Sequence, residues 1–393
     1  MAERRRPADD SERSVNRNIP YGRQSIDRAD VDAVVAALTS DWLTTGPAVV
    51  QFENAVSCAA GVDIPAVAVT SGTAALHTAY HAAGVRPGTE VVTSPLTFAA
   101  TASTAALLGA TIVFADVDAV TGNLDPDAAA AAASHRTAVV AGVDYAGVPV
   151  DATRLAVVAH DAGALFLEDA AHSLGSLLNG VPVGGLADVT TFSFFPTKNA
   201  TTAEGGAVVT GDAALSDRAR AFRNHGLVRD RARQRWPDEG PWHQEIADFG
   251  LNYRLPDVLA ALGSSQLSRL GSFKARRNAV FERYRDGLSD LAGIELPRCP
   301  PNADPMWHLY PVRVPVEERR RIFEELRADG IGVQVNYIPV YWHPVFQDLG
   351  YRRGLCPVAE DWYRREISLP MHASLTVDDV DHVIEAVRKA IGA

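Results

Sequence analysis

Between residues 66 and 194 the chain alternates short apolar runs with helical patterns, and this alternation limits the fold more than any other feature. Ala66-Val-Ala-Val69 predicts a strand, Thr73 to Ala83 a helix ending at Gly84, and Glu90-Val-Val-Thr93 a second strand. A helix over Thr97 to Leu108, stopped by Gly109, leads to a strand at Thr111 to Ala115. Asp125-Pro126 then caps a helix reaching Ser134. Ala138 to Val143, Leu165 to Leu167 and Val189 to Phe194 follow as strands. Continuous apolar strands joined by helices imply an α/β fold with a mostly parallel sheet covered on both faces. Ligands of such sheets lie beyond the carboxyl ends of the strands, and Ser71, Asp169 and Lys198 all fall near such ends.

The second half reads differently. A helical pattern from Pro256 to about Leu288, with breaks expected near Gly263 and Gly271, carries the chain out of the first unit. Trp307 to Val314 predicts a strand, Val316 to Ala328 a helix, Ile331 to Tyr337 a strand, and Ala359 to Arg365 and Val377 to Ile391 two helices. The expected division is a polar, disordered tail over 1–17 containing Arg4-Arg-Arg6, a large domain over 18–270 and a smaller α+β domain over 271–393. Arg229 to Phe249 is polar and without period, and reads as a long surface loop of the kind used for lids or partner contacts.

Composition excludes several functions. Net charge is −11, which disfavours nucleic acid or an anionic membrane as a general partner. Any anionic substrate must therefore be held by local donors. No apolar run is long enough to span a bilayer. The three cysteines, Cys58, Cys299 and Cys356, have no paired spacing, which argues against a disulfide framework or a zinc site and fits a reducing cytoplasm. No metal is expected.

The chemistry centres on Lys198, which ends the apolar run Thr191-Phe-Ser-Phe-Phe-Pro-Thr-Lys198 before a glycine-rich turn. Burial favours the neutral amine, a nucleophile that forms Schiff bases with aldehydes. Taken alone, Lys198 reads better as a strand-end lysine reaching solvent; the acid and phosphate signals below reverse that. Leu165-Phe-Leu-Glu-Asp169 is a second apolar strand ending in an acid, and an acid opposite a Schiff-base lysine is what pyridoxal 5′-phosphate requires at its ring nitrogen. Thr70-Ser-Gly-Thr-Ala-Ala75 joins a strand to a helix, where free amides and the helix dipole make an anion site. There Ser71 and Thr73 add hydroxyls and Gly72 allows close approach; an ordinary N-cap is the plainer reading. Ser193 is a second phosphate-donor candidate, Asp169 is otherwise an N-cap, and His172 is otherwise a structural histidine. Phe98 can stack on the ring or simply pack in the core.

Together, Ser40-Asp-Trp-Leu-Thr-Thr-Gly-Pro47, Ser71-Gly-Thr-Ala-Ala-Leu-His77, Glu168-Asp-Ala-Ala-His-Ser-Leu-Gly175, Lys198-Asn-Ala-Thr-Thr-Ala-Glu-Gly-Gly206 and Asn252-Tyr-Arg254 closely resemble the DegT/StrS family of sugar aminotransferases. The resemblance runs from Pro20 to the C-terminus. It implies the fold type I (aspartate aminotransferase-like) architecture of pyridoxal-phosphate transferases. It also implies Lys198 as the Schiff-base lysine, Asp169 as the partner of the ring nitrogen and His172 as its neighbour. Gly72, Thr73 and Ser193 would hold the phosphate and Phe98 would stack on the ring. Asn252 would reach the phosphate site of a second subunit, so the active sites would be shared in a homodimer. Tyr21-Gly-Arg-Gln24, Tyr337-Ile-Pro-Val340 and Ile367-Ser-Leu-Pro370 are most similar to C4-aminotransferases of UDP-linked 4-keto-6-deoxy-N-acetylhexoses in pseudaminic acid synthesis.

Phe195, Ala203 and Tyr341-Trp342 depart from that subgroup at positions that border its substrate site. The implied reaction moves the amino group of L-glutamate, through pyridoxamine phosphate, to a ketone on a nucleotide sugar. Thr44, Arg223, His225, Arg254, His308 and Tyr337 are the candidate substrate-binding residues; solvent-facing charge or packing is the competing reading for the last five. Two alternatives are a ketone of another kind, such as a cyclitol or a different nucleotide sugar in an antibiotic pathway, and a non-catalytic regulatory protein on the same fold.

Overall fold

The computed structural model describes residues 18–392, so the expected tail over 1–17 lies outside the described residues. Nine short strands come first in chain order: β1 (Val67–Val69), β2 (Glu90–Thr93), β3 (Thr111–Phe114), β4 (Thr137–Val143), β5 (Leu165–Asp169), β6 (Leu177–Leu178), β7 (Val181–Pro182), β8 (Val189–Ser193) and β9 (Gly206–Val209). Seven of them form one sheet in the order β1-β9-β8-β5-β4-β2-β3. Every pairing from β8 through β5, β4 and β2 to β3 is parallel, whereas β9 is antiparallel to both β8 and β1. Only β9 is reversed, and the sheet is mostly parallel as the strand pattern predicts. Its central strands are buried along their length, which is why they read as unbroken apolar runs.

Two helices absent from the sequence reading precede the sheet, α1 (Arg28–Leu38) and α2 (Pro47–Ala60). A capping box between Asp27 and Asp30 starts α1, and Gly61 in the left-handed region ends α2. After β1 come α3 (Gly72–Ala82) and, after β2, α4 (Ala100–Leu107). The expected long helix is two helices, Asp257–Leu267 and Leu270–Leu288, with the break at Ser268–Arg269 rather than at Gly263 or Gly271. Gly263 is a point of close approach: a Cβ there would lie 2.4 Å from Phe52 Cε2 of α2.

The helix Leu270–Leu288 buries Phe273, Val280, Phe281, Tyr284 and Leu288. Apart from Phe273, these pack with Trp307, Tyr310 and the apolar side of Val377–Ile391 in a second core, which also takes in Ile19 and Val148. An antiparallel pair, Tyr310–Arg313 with Glu366–Leu369, belongs to this core. Ile331 to Tyr337 is not a strand. It makes single bridges, Ile19 with Ile331 and Gln334 with Ser368, and its Asn336 amide donates to the Glu366 carboxylate at 2.7 Å. The 229–249 stretch lies mainly within a short hairpin, Leu227–Val228 with Glu245–Ile246, whose Glu245 accepts from the Arg235 and Trp236 amides at 2.7 Å each. The three cysteines are free, and no helix among the described residues is long and apolar enough to cross a membrane.

Candidate active site

A cavity of about 460 Å³ opens at the carboxyl ends of β1, β5 and β8. Ser71, Gly72, Thr73, Phe98, Asp169, His172, Ser193, Lys198 and Tyr337 all line it. Three strand ends, far apart in sequence, thus meet in one space because the parallel sheet sets their ends side by side.

The floor is built for an anion. Ser71 caps α3, accepting from the Ala74 amide at 3.0 Å, and the first intrahelical bond runs from Ala75 to the Ser71 carbonyl. The Gly72 and Thr73 amides precede that bond at the positive end of the helix dipole. A Cβ on Gly72 would fall 2.8 Å from Ser193 Cβ and 2.9 Å from Ser193 Oγ, so glycine is what lets the two walls meet.

Lys198 sits on the loop between β8 and β9. That loop is held at Phe194, whose amide donates to Gly205 and whose carbonyl accepts from the Thr202 amide and the Thr201 hydroxyl. Its Ala203 takes φ 67°, the left-handed region that glycine occupies without strain. Desolvation lowers the Lys198 ammonium to about 8, against a smaller opposing pull from Asp169. The amine is therefore readily neutral.

Asp169 is 4% exposed, and burial pushes its carboxyl up. Thr101 Oγ1, donating to Oδ2 at 2.7 Å, is the largest influence in the other direction, followed by the Ala171 amide on Oδ1 at 3.2 Å and by Lys198. His172 is buried and held neutral, mainly by desolvation, with its Nε2 3.3 Å from the Tyr337 hydroxyl and its Nδ1 without a partner among the described residues. Phe98 is 65% exposed on the cavity wall, so its ring is available for stacking rather than committed to the core.

Other candidates lie elsewhere. Arg223 is committed to Glu53, ion-paired with Glu53 Oε1 and donating to the Ala68 carbonyl at 2.8 Å. His308 is buried one layer behind the cavity, its ring 4.3 Å from that of His172. Arg254 donates to Asn224 Oδ1 at 2.6 Å, and Thr44, His225 and Asn252 are exposed outside the cavity of this chain. The Asn252–Arg254 segment nonetheless runs beside the cradle, since the Thr70 amide donates to the Tyr253 carbonyl at 3.0 Å. Tyr341 and Trp342 do not border the cavity. They are buried, both donating to Glu360 Oε1, at 2.7 and 3.2 Å. Phe195 and Thr197 do line the cavity.

Thr97 and Thr101 were missed. In the sequence they stand four residues apart in a run expected to be helical, the spacing that groups side chains on one face, although the structure begins α4 only at Ala100.

A lysine on the loop after β8 and an acid at the end of β5, over a helix-capped anion cradle, define a site for a phosphorylated aldehyde cofactor. The model of the DegT/DnrJ/EryC1/StrS aminotransferase family matches residues 24–388, and the chain belongs to that family. It is 38% identical to the spore coat polysaccharide biosynthesis protein SpsC of Bacillus subtilis, over 96% of this chain and 98% of that protein. It is 34% identical to the UDP-4-amino-4,6-dideoxy-N-acetyl-beta-L-altrosamine transaminase of Campylobacter jejuni, over 93% and 95% of the two chains. Among solved structures, the PLP-form of the putative sugar aminotransferase Spr1654 from Streptococcus pneumoniae superposes with a TM-score of 0.89 at 30% identity, covering 95% of this chain and 99% of that one.

Proposed function

We propose that this chain is a pyridoxal-phosphate-dependent aminotransferase that moves the amino group of L-glutamate to a keto group on a nucleotide-linked deoxysugar. The observation that carries this reading is that Lys198, Asp169 and the Ser71–Gly72/Ser193 cradle are walls of one cavity. The residues fit the cofactor. The cradle suits its phosphate, the exposed Phe98 ring its flat face, Asp169 its ring nitrogen, and Lys198 its aldehyde carbon.

When bound, the cofactor supplies an electron sink for the pair left as a proton departs the substrate carbon. Lys198 would serve first as covalent anchor and then, once released by the donor, as the base that takes the proton from the donor's α-carbon and delivers it to the cofactor's former aldehyde carbon. Burial lowers its ammonium to about 8, so the amine gives up its proton far more easily than a surface lysine. Asp169 would face the ring nitrogen, its ionised form favoured against burial by the Thr101 hydroxyl, the Ala171 amide and Lys198. The neutral His172 fixes the Tyr337 hydroxyl over the site.

The finer reading is amination at C4 of a UDP-4-keto-6-deoxy-N-acetylhexose, supported by the 34% identity to the altrosamine transaminase. We also infer a homodimer in which a second copy brings Asn252 to the cradle. Supporting this are the exposed Asn252 beside the cradle and large apolar side chains left open nearby in sequence, among them Phe249 at 94% exposure. The test is turnover of L-glutamate with a panel of keto sugars linked to UDP or other nucleotides and with cyclitol ketones, followed by product analysis. Formation of 2-oxoglutarate and an amino sugar with wild type, and none with Lys198→Ala, is expected. Normal turnover by Lys198→Ala would refute the assignment, and a cyclitol amine as sole product would move the substrate class.

A further inference from the structure

The start of α4 and the loop just before it carry a chain of hydroxyls that ends on Asp169. Thr101 Oγ1 lies 2.7 Å from Asp169 Oδ2 and only 3.4 Å from its other acceptor, the Phe98 carbonyl. Thr101 has one hydroxyl proton, and the shorter bond to a carboxylate is the stronger, so the proton goes to Asp169. Thr97 Oγ1 is 2.8 Å from Thr101 Oγ1. With the Thr101 proton spent, Thr97 must be the donor of that bond. The relay therefore has a fixed direction, Thr97 to Thr101 to Asp169.

Both threonines are nearly inaccessible, at 4% and 1% exposure, yet both line the cavity. The turn is also pinned from below, because Tyr80 of α3 donates to the Thr101 carbonyl at 2.9 Å. Phe98, the ring available for stacking, lies on the same entry segment, just before the N-cap Ala99. One short segment thus fixes an aromatic wall and orients the acid.

We propose that Thr101, supported by Thr97, is a positioning residue for the cofactor. Its hydroxyl turns the Asp169 carboxylate and favours its ionised form, leaving the remaining lone pairs for the protonated ring nitrogen. Losing the Thr101 bond leaves a buried carboxylate short of one charge-assisted donor. This inference rests on the role given to Asp169 above.

The experiment measures pyridoxal-phosphate affinity by fluorescence titration of the cofactor-free protein. It also follows the visible absorption band of the lysine-bound cofactor as a function of pH. Thr101→Val is expected to bind about tenfold more weakly, and its band is expected to titrate at a shifted pH. Thr101→Ser keeps the hydroxyl and should restore both. Thr97→Val should shift both in the same direction by less, and it carries the test alone where Thr101→Val does not accumulate as folded protein. Wild-type affinity and an unshifted titration in the threonine-to-valine variants overturn the proposal. Asp169→Asn separates the two levels. Weak binding by Asp169→Asn beside wild-type behaviour of Thr101→Val refutes the role of Thr101 alone. Wild-type binding by Asp169→Asn removes the assignment of Asp169 itself.

Discussion

Gly72 and Ser193 approach so closely that a methyl group on the glycine would lie 2.8 Å from the serine Cβ. The contact joins the start of α3 to the end of β8, the two elements that form the anion cradle. Gly72→Ala must push Ser193 aside or open the helix start, misplacing donors on at least one wall. Cofactor affinity should fall by roughly tenfold or more, the loss of about one hydrogen bond to a charged group. Cofactor retention on dialysis reads it directly.

Lys198 reactivity should report its environment. In the cofactor-free protein, labelling of Lys198 by a small aldehyde with a hydride reductant should rise with a midpoint near pH 8, where its ammonium gives up its proton. Surface lysines should follow only at higher pH. Asp169 opposes the loss of that proton, so Asp169→Asn should move the midpoint lower still. Peptide mapping by mass spectrometry across a pH series resolves both effects.

Asp144 and Glu168 make a buried acid pair behind the site. Asp144 accepts from Ser173 Oγ at 2.5 Å and from the Val150 amide at 2.9 Å. Desolvation, reinforced by Asp169, raises Asp144 from 3.8 to about 7, and desolvation followed by the Asp144 charge raises Glu168 well above its usual range. An acid raised in the folded state binds its proton more tightly there than in the unfolded chain. Its stabilising contribution is thus complete below about pH 4 and is lost as pH climbs to about 7. Glu168→Gln removes one titrating member and should flatten the decline in Tm between those values. Thermal unfolding across that range checks the slope.

Arg223 should matter for stability and not for substrate. With Arg220 it neutralises Glu53, which is 5% exposed and also accepts from the Ala68 amide. Arg223→Ala leaves Arg220 as the remaining partner, so the cost should be about 2 kcal/mol rather than the larger cost of an orphaned buried charge. The expected result is a lower denaturation midpoint with KM for L-glutamate and the ketone unchanged. A raised KM at unchanged stability would return Arg223 to the substrate site.

Gly263→Ala should destabilise by about 1–3 kcal/mol through overpacking. The new methyl would meet Phe52 Cε2 at 2.4 Å and Thr202 Cγ2 at 2.6 Å. Denaturant titration gives the figure.

The cavity was readable in the sequence where chemistry and periodicity coincided. Asp169 ends an apolar run, Lys198 follows one closely, and Ser71 stands between a strand and a helix, so strand ends alone grouped them. Arg223 was not readable, because its partner Glu53 lies 170 residues earlier and no local pattern signals it. His308 is flanked by the buried Trp307 and Leu309, a hint of burial that its polarity outweighed. Ile331 to Tyr337 has the composition of a strand, but its backbone is spent on Ile19, Ser368 and the Glu366 carboxylate. The reversed strand β9 has no clear pattern in the sequence, since its four residues begin on the second glycine of a pair and leave only three side chains.

That reversal has a mechanical consequence. β8 runs out and β9 comes back beside it, so the sheet clamps both stems of the lysine loop. A single inserted or deleted residue between 194 and 205 has to be absorbed by the loop itself, because slipping β9 by one position would turn Ala207 and Val209 toward the layer that now receives Val208. The span of that loop is thus dictated by the packing on two faces of the sheet, and it should tolerate length changes far less than the hairpin between Leu227 and Ile246.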